Sequence, residues 1–385
     1  MPALVVAALS ARMLASSARR AGWDVIALDL FGDVDTRAAA EAWFGIGDAS
    51  ALHIERDRLL AALAAARDRR DCIGWVAGAG FEAQAELLAE GARRLPLLGN
   101  DAATIDAVRD PRRFFARLNK LGIPHPETST VAPRQRSGWL AKDFASSGGW
   151  HVRRADRLRL RPAGARGYFQ REIAGRPMSV LFVADGDRAA PIAVNALLAR
   201  PHGERPYIYH GAIGPVVDLA PRLSTELAEA AQAIARAFGL RGLGSLDFIL
   251  HGDRFSVLEV NPRPSSTVGL YDADLTTGLL ALHVDACAGA LPRSLPGIDA
   301  ARIRGESIVF APKPHIVTRA DTDRLLALRC ADVPQPASRV EAGAPLCTVC
   351  AQGNDAAAVR VLLAQHEATV RSMVQNRSEV NRHAD

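Results

Sequence analysis

The stretch Leu258-Glu259-Val260-Asn261-Pro262-Arg263-Pro264, together with Asp247 in Gly244-Ser245-Leu246-Asp247-Phe248-Ile249-Leu250, decides how this chain is read. His251-Gly252-Asp253-Arg254 supplies turn residues between the two segments, and Phe255 to Asn261 returns with apolar and polar residues alternating. The pattern predicts a hairpin. Strand side chains alternate with a period of two, so Glu259 and Asn261 share a face, and Asp247 on the facing strand joins them. Two carboxylates and an amide suit a hard cation such as Mg²⁺ or Mn²⁺, which keeps waters and substrate phosphates as its remaining ligands. Arg263 follows on the same side. The plainer alternative is a solvated strand face with Arg263 in a structural ion pair. Prolines on both sides of the arginine argue against it, because proline removes ladder donors from a strand, whereas a rigid turn that presents a guanidinium has a use for them.

Working outward, 385 residues with 49% hydrophobic content predict two or three domains with cores of their own. No apolar run approaches the ~18 residues that span a bilayer, and Met1-Pro2-Ala3-Leu4-Val5-Val6 lacks the basic start of a secretory signal. A cytoplasmic location with no membrane partner is expected. The net charge of +5 is dispersed among acidic residues, which points away from nucleic acid. The five cysteines, Cys72, Cys287, Cys330, Cys347 and Cys350, are odd in number and scattered, as free thiols are. Cys347-Thr348-Val349-Cys350 is a single CxxC without a second pair of ligands and is read as part of a strand. Of 47 basic residues only Lys120, Lys142 and Lys313 are lysines. In so arginine-biased a chain a retained lysine draws attention, since a compact ammonium does what a planar guanidinium cannot.

Along the chain, Leu4–Leu9 and Asp24–Asp29 read as strands around a helix over 11–21, followed by a helix over 59–69, a strand over 72–77 and a helix over 82–94. Residues 1–99 thus form an α/β domain. Its Gly78-Ala79-Gly80 turn is read as a tight strand-to-helix connection, and Ala8-Leu9-Ser10-Ala11 after the first strand lacks a dinucleotide-binding glycine fingerprint. A helix over 111–121 opens on Asp110-Pro111 and stops at Gly122. Trp139–Lys142 reads as a strand that leads into the small-residue loop Ala145-Ser146-Ser147-Gly148-Gly149, then come extended segments over 168–173 and 179–183 and a helix over 223–238. Pro292–Gly297 is a linker, short strands over 306–311, 339–341 and 346–351 follow, a helix covers 355–374, and the tail from Gln375 frays. The domains expected are 1–99, an α+β domain over 100–290, and a strand-rich α+β region over 298–385 with a closing helix.

Lys142 with its glycine loop, the Gln170-Arg171-Glu172-Ile173 segment and the Asp247/Glu259/Asn261/Arg263 hairpin, in this order, resemble the ATP-grasp superfamily, in which a nucleotide lies between two α+β subdomains. The resemblance implies that ATP and Mg²⁺ are bound here. It gives Lys142, Ser147, Gly148 and Gly149 to the phosphates, Gln170, Glu172 and Ile173 to the adenine, Asp247, Glu259 and Asn261 to the metal, and Arg263 with Lys142 to the reacting groups. ATP-grasp chains often have a basic residue after the aspartate that opens the first helix; Pro111 stands there in this chain, so Arg112 or Arg113 is expected to serve. No acidic residue for the ribose occurs in Gly175–Ser179.

The activity implied is that of a carboxylate-amine ligase: a carboxylate attacks the γ-phosphoryl of ATP, and an amine displaces phosphate from the acyl phosphate. Its partners would be a small-molecule carboxylate and an amine, with self-association into a homo-oligomer left open. The C-terminal region, with Asp332-Val333-Pro334-Gln335-Pro336 and Gly343–Gly353, resembles ATP-grasp ligases of one-carbon (tetrahydromethanopterin or methanofuran-type) cofactor metabolism. The alternatives are an ATP-dependent carboxylase acting on bicarbonate and an ATP-binding regulator without turnover. A dinucleotide oxidoreductase is opposed by the missing glycine fingerprint.

Overall fold

A computed structural model describes residues 1–143, 147–158, 167–295 and 297–380. Ala145 and Ser146 of the small-residue loop, and the tail after Val380, lie outside the described residues.

The N-terminal part is an α/β layer. Four parallel strands stand in the spatial order Ala42–Gly45, Asp24–Asp29, Ala3–Ala7, Cys72–Ala77. The first strand is buried at every residue, which is why Ala3-Leu4-Val5-Val6-Ala7 is a continuous apolar run rather than an alternating one. Helices Arg12–Arg20, Arg56–Arg67 and Ala85–Arg94 accompany the sheet. The helix Pro111–Leu121 begins and ends as its sequence predicts. The Asp110 carboxylate accepts the Arg112 and Arg113 N–H groups, proline occupies the first turn, and Gly122 terminates the helix with a φ of 68°.

Two larger antiparallel sheets build the rest, beside a short pairing of His315–Ile316 with Arg339–Val340. The smaller has the order Thr128–Ser129, Gly167–Arg171, Trp139–Asp143, Arg153–Arg154. The larger has seven strands in the order Arg254–Asn261, Arg241–His251, Arg176–Asp185, Ala189–His202, Arg205–Gly214, Ile303–Phe310, Pro345–Gly353. Its last two strands come from beyond the Pro292–Gly297 segment and extend the sheet by direct pairing. The helix Pro221–Phe238 covers one part of this sheet through Leu223, Leu227 and Ile234, which pack with Phe182, Phe248 and Val257 in one core. The C-terminal helix Ala356–Val380 covers another through Val359, Leu363 and Val370, and it continues six residues past the predicted end at Val374.

The strands Ala189–His202 and Arg205–Gly214 are not read from the sequence. Ala189-Ala190-Pro191-Ile192-Ala193 is alanine-rich and contains a proline, both unfavourable locally. Pairing with the strand Arg176–Asp185 overrides this, and Pro191 sits where the register with Leu181 and Phe182 shifts, a place that tolerates a missing N–H.

Candidate active site

The predicted hairpin is formed by Arg241–His251 and Arg254–Asn261, and Asp247 lies directly opposite Glu259 in its register. Ser179 lies opposite Asp247 on the other side, so Ser179, Asp247 and Glu259 form a row across three strands. Asn261 stands opposite Ser245, and its amide nitrogen donates to Asp247 Oδ2 at 3.1 Å and Ser245 Oγ at 3.3 Å. Burial, reinforced by the charge of Glu259, pushes the Asp247 carboxyl up to about 7. Two carboxylates held this close gain from a shared cation, which is the condition of a divalent-metal site. Among the described residues no three His, Cys, Asp or Glu side chains gather in a metal-binding group, so the third protein ligand available here is the Asn261 amide.

Across a cavity of about 380 Å³ from these groups stands the smaller sheet. Lys142 pairs with Tyr168 in that sheet, and its side chain lines the cavity with Asp247, Glu259 and Asn261. Lys142 has no hydrogen-bond or ion-pair partner among the described residues. Burial lowers its ammonium from the ordinary value, while Glu259 and Asp247 favour its charge. A cation held near two carboxylates and paired with neither is available for an anion. Ser147, Gly148 and Gly149 line the same cavity. Gly149 has a φ of +78°, and a Cβ there would stand 1.8 Å from the Tyr207 carbonyl oxygen, so this loop is seated against the strand Arg205–Gly214 through a glycine that no other residue can replace.

Gln170, Glu172 and Ile173 also line the cavity. Gln170 is 1% exposed, and neither its amide nitrogen nor the Ser179 hydroxyl has a hydrogen-bond partner among the described residues. Two buried, unsatisfied polar groups on the walls of one cavity are what a polar ligand would complete. Glu172 is already engaged by Arg154, at 3.0 Å, and by the Tyr207 hydroxyl.

Arg112 does not line this cavity. It is exposed on the first turn of its helix, and its guanidinium reaches Thr130 at 3.5 Å. The arginine that does line it is Arg109, buried on the preceding helix and 3.9 Å from Glu259 Oε2. The predicted position lies beyond the kink at Asp110-Pro111, and the helix it opens turns its side chain outward.

Arg263 lines the cavity, and it is held from the N-terminal part of the chain. Its Nε donates to Glu82 Oε1 at 2.7 Å, and Glu82 Oε2 accepts the Gly80 N–H at 2.7 Å. Burial opposes the charge of Glu82, but Arg263 and Arg109 outweigh it and hold the carboxyl below its ordinary range. The Gly78–Gly80 turn therefore presents a carboxylate to Arg263, and its Gly80 N–H is taken. Nothing in the sequence around Glu82 distinguishes it from other helix-start acids. Cys347 and Cys350 lie three apart on one strand, Cys347 buried and Cys350 exposed on the opposite face, so they do not face a common metal.

Comparison with known proteins agrees with this geometry. Residues 108–267 match the model of the ATP-grasp domain. Over 208 residues the chain is 31% identical to the carbamoyl phosphate synthase large chain of Thermomicrobium roseum, a match that covers 48% of this chain and 18% of that one. The chain thus spans about a fifth of the length of that relative. The fold is that of the biotin carboxylase of Campylobacter jejuni, solved as a β-γ-ATP complex (TM-score 0.72, 15% identity, 100% of this chain and 97% of that one), and of the L-amino acid ligase of Bacillus licheniformis (TM-score 0.70, 13% identity, 96% and 97%). The lysine wall and the acidic hairpin both fall within residues 108–267, the stretch of this chain that matches the ATP-grasp domain.

Proposed function

We propose that this chain is a Mg²⁺- and ATP-dependent ligase that joins a small-molecule carboxylate to an amine through an acyl phosphate. The observation that carries this reading is the placing of Lys142 across one cavity from Asp247, Glu259 and Asn261, with Arg263 on its wall. Lys142 and the Ser147–Gly149 loop would hold the phosphates, and Gln170 and Ser179 offer buried polar groups to the rest of the nucleotide. Asp247, Glu259 and Asn261 would hold the Mg²⁺, which would supply positive charge against the phosphates. Arg263, fixed by Glu82, is the guanidinium placed to steady the acyl phosphate. Transfer of this kind needs little from the protein beyond positioning and charge, and no nucleophilic side chain is required. The finer reading, a role in making a one-carbon-carrier cofactor in the cytoplasm, rests on the C-terminal resemblance. No helix among the described residues is long and apolar enough to cross a membrane.

The test is ADP release with Mg²⁺ and ATP over a panel of acids, amines and bicarbonate. Stimulation by an acid-amine pair supports the ligase, and stimulation by bicarbonate alone would replace it with a carboxylase. Glu259→Gln keeps the shape of the side chain and removes its charge, so ADP release should fall at least about 1,000-fold in protein with an unchanged circular dichroism spectrum. Release at the parent rate would show that the metal assignment is wrong.

A further inference from the structure

Joining an amine to an acyl phosphate releases protons that phosphate binding does not account for. At neutral pH an aliphatic amine is an ammonium ion, and its nitrogen loses two protons by the time the amide is formed. One departs with the phosphate, as hydrogen phosphate. The other needs an acceptor in the site.

Among the described residues the carboxylates that line the cavity are Asp143, Glu172, Asp247 and Glu259. On the proposed function Asp247 and Glu259 face the cation, and Glu172 is engaged by Arg154 and Tyr207. Asp143 follows Lys142 on the strand Trp139–Asp143, on the phosphate side. A further carboxylate is linked to the cavity through hydroxyl groups. The Tyr209 hydroxyl, on the wall, donates to Glu306 Oε1 at 3.1 Å and lies 2.6 Å from Ser266 Oγ, which is also on the wall. With its own proton given to Glu306, the tyrosine oxygen accepts that of Ser266.

Tyr209 touches two parts of the site. Its backbone N–H donates to the Gly148 carbonyl at 3.0 Å, in the loop that would hold the phosphates, and its hydroxyl meets Ser266, which follows Arg263 by three residues. The chain of hydroxyls thus lies where an acyl phosphate held by that loop and Arg263 would meet its acceptor. Glu306 is 6% exposed on the strand Ile303–Phe310 and has no ion pair among the described residues. A buried carboxylate without a cation in contact is costly to keep charged, which suits it to receiving a proton. Burial pushes Glu306 up to about 7, with Arg12 opposing and Asp332 reinforcing the shift. Burial also pushes the Tyr209 phenol upward, so that it stays neutral and passes a proton instead of losing one.

We propose that Ser266 and Tyr209 take a proton from the incoming ammonium and pass it to Glu306. The proposal rests on the ligase reading. The ammonium proton moves to the Ser266 oxygen, the Ser266 proton to the Tyr209 oxygen, and the Tyr209 proton to Glu306 Oε1. Both hydroxyls end as they began, and the carboxylate ends as a neutral acid. The freed lone pair on nitrogen forms the C–N bond. The bond from the acyl carbon to the phosphate oxygen breaks with its electrons on the phosphate, which carries off the second proton. The reverse passage of one proton to water in the emptied cavity restores Glu306.

Hydroxylamine separates this role from a structural one, because at neutral pH it is already uncharged whereas an alkylamine is an ammonium ion. The full chain with Mg²⁺ and ATP is offered a panel of amino acids and dicarboxylic acids, and amide formation with methylamine and butylamine is compared with hydroxamate formation. Glu306→Gln and Tyr209→Phe should each lower kcat with the alkylamines by about 100-fold or more and lower hydroxamate formation far less. Should Tyr209→Phe melt below the parent chain, Glu306→Gln carries the comparison alone. Equal losses with both kinds of acceptor, or undiminished alkylamine turnover in a folded variant, overturns the proposal. A parent chain that forms neither amide nor hydroxamate from any acid sinks the ligase reading and the relay with it. Hydroxamate from the parent upholds that reading whatever the variants do.

Discussion

The wall of the cleft that carries Asp247, Glu259 and Asn261 stands on a core that includes Met178, Phe182, Phe248, Phe255 and Val257 and is roofed by the helix Pro221–Phe238, whereas the wall that carries Lys142 rests on Trp139, Ala141, Ala155 and Phe169. Both walls are antiparallel sheet, yet the first is the flank of a seven-stranded sheet and the second is a four-stranded sheet with two strands of only two residues. Opening free energies follow buried contact, so the smaller wall is the one that yields first. The charges that must keep a fixed spacing are on the stiffer side. The groups that, on the proposed function, admit and release a nucleotide are on the other.

The largest test of this contrast is in the cores. Phe248→Ala should cost about 3 to 5 kcal/mol and lower the melting temperature of the whole chain. Phe169→Ala should lower global melting much less and appear instead as a higher KM for ATP. Equal losses of melting temperature would show that the walls are one cooperative unit. Next comes the cationic side: Lys142→Ala should raise the KM for ATP by about 100-fold, with Lys142→Arg recovering little, because the guanidinium is larger and spreads its charge. A full recovery by arginine would remove the argument from lysine scarcity.

A smaller effect is expected from Asp247→Asn in the absence of metal. The folded-state carboxyl of Asp247 is raised to about 7, so the stability it contributes as a neutral acid is present below the ordinary carboxylate range and lost as pH rises through about 7. The amide avoids that loss. The melting temperature of the metal-free variant should exceed that of the parent by a few degrees at about pH 8 and by less at about pH 5. A gain that is larger at the lower pH would reverse the assigned direction. Added Mg²⁺ and ATP should stabilise the parent and leave the variant nearly unmoved.

Much of the acidic wall was legible because its information is local. A turn of Gly252 and Asp253, a period-two alternation and two prolines around Arg263 are all within one hairpin; the turn sets the register as far as Phe248 opposite Val257, and a one-residue shift beyond it, which the alternation does not announce, brings Asp247 opposite Glu259. Lys142 was legible through composition. What was not legible is what depends on distant packing. Glu82 reaches Arg263 across 181 residues, and no residue beside it announces this. Arg109, not Arg112, lines the cavity, on the helix that ends before Asp110, and the sequence pattern there gives the helices but not which of the neighbouring arginines faces inward. The long hairpin of Ala189–His202 and Arg205–Gly214 was hidden by alanines whose strand state is imposed by their neighbours.

The last four residues of the strand Arg205–Gly214 owe one side to residues far along the chain: Gly211 to Gly214 pair with Arg304 to Ser307, and the strand Pro345–Gly353 pairs beyond them. A chain shortened at the Pro292–Gly297 segment would leave that side as an open row of backbone donors and acceptors, with Leu198 and Ile213 stripped of their cover. Such a fragment would keep every residue of the domain match and still be a template for pairing with its own copies. The C-terminal strands and their helix are in this sense the chain's protection against aggregation, and any attempt to isolate the nucleotide-binding part has to replace that edge before it removes it.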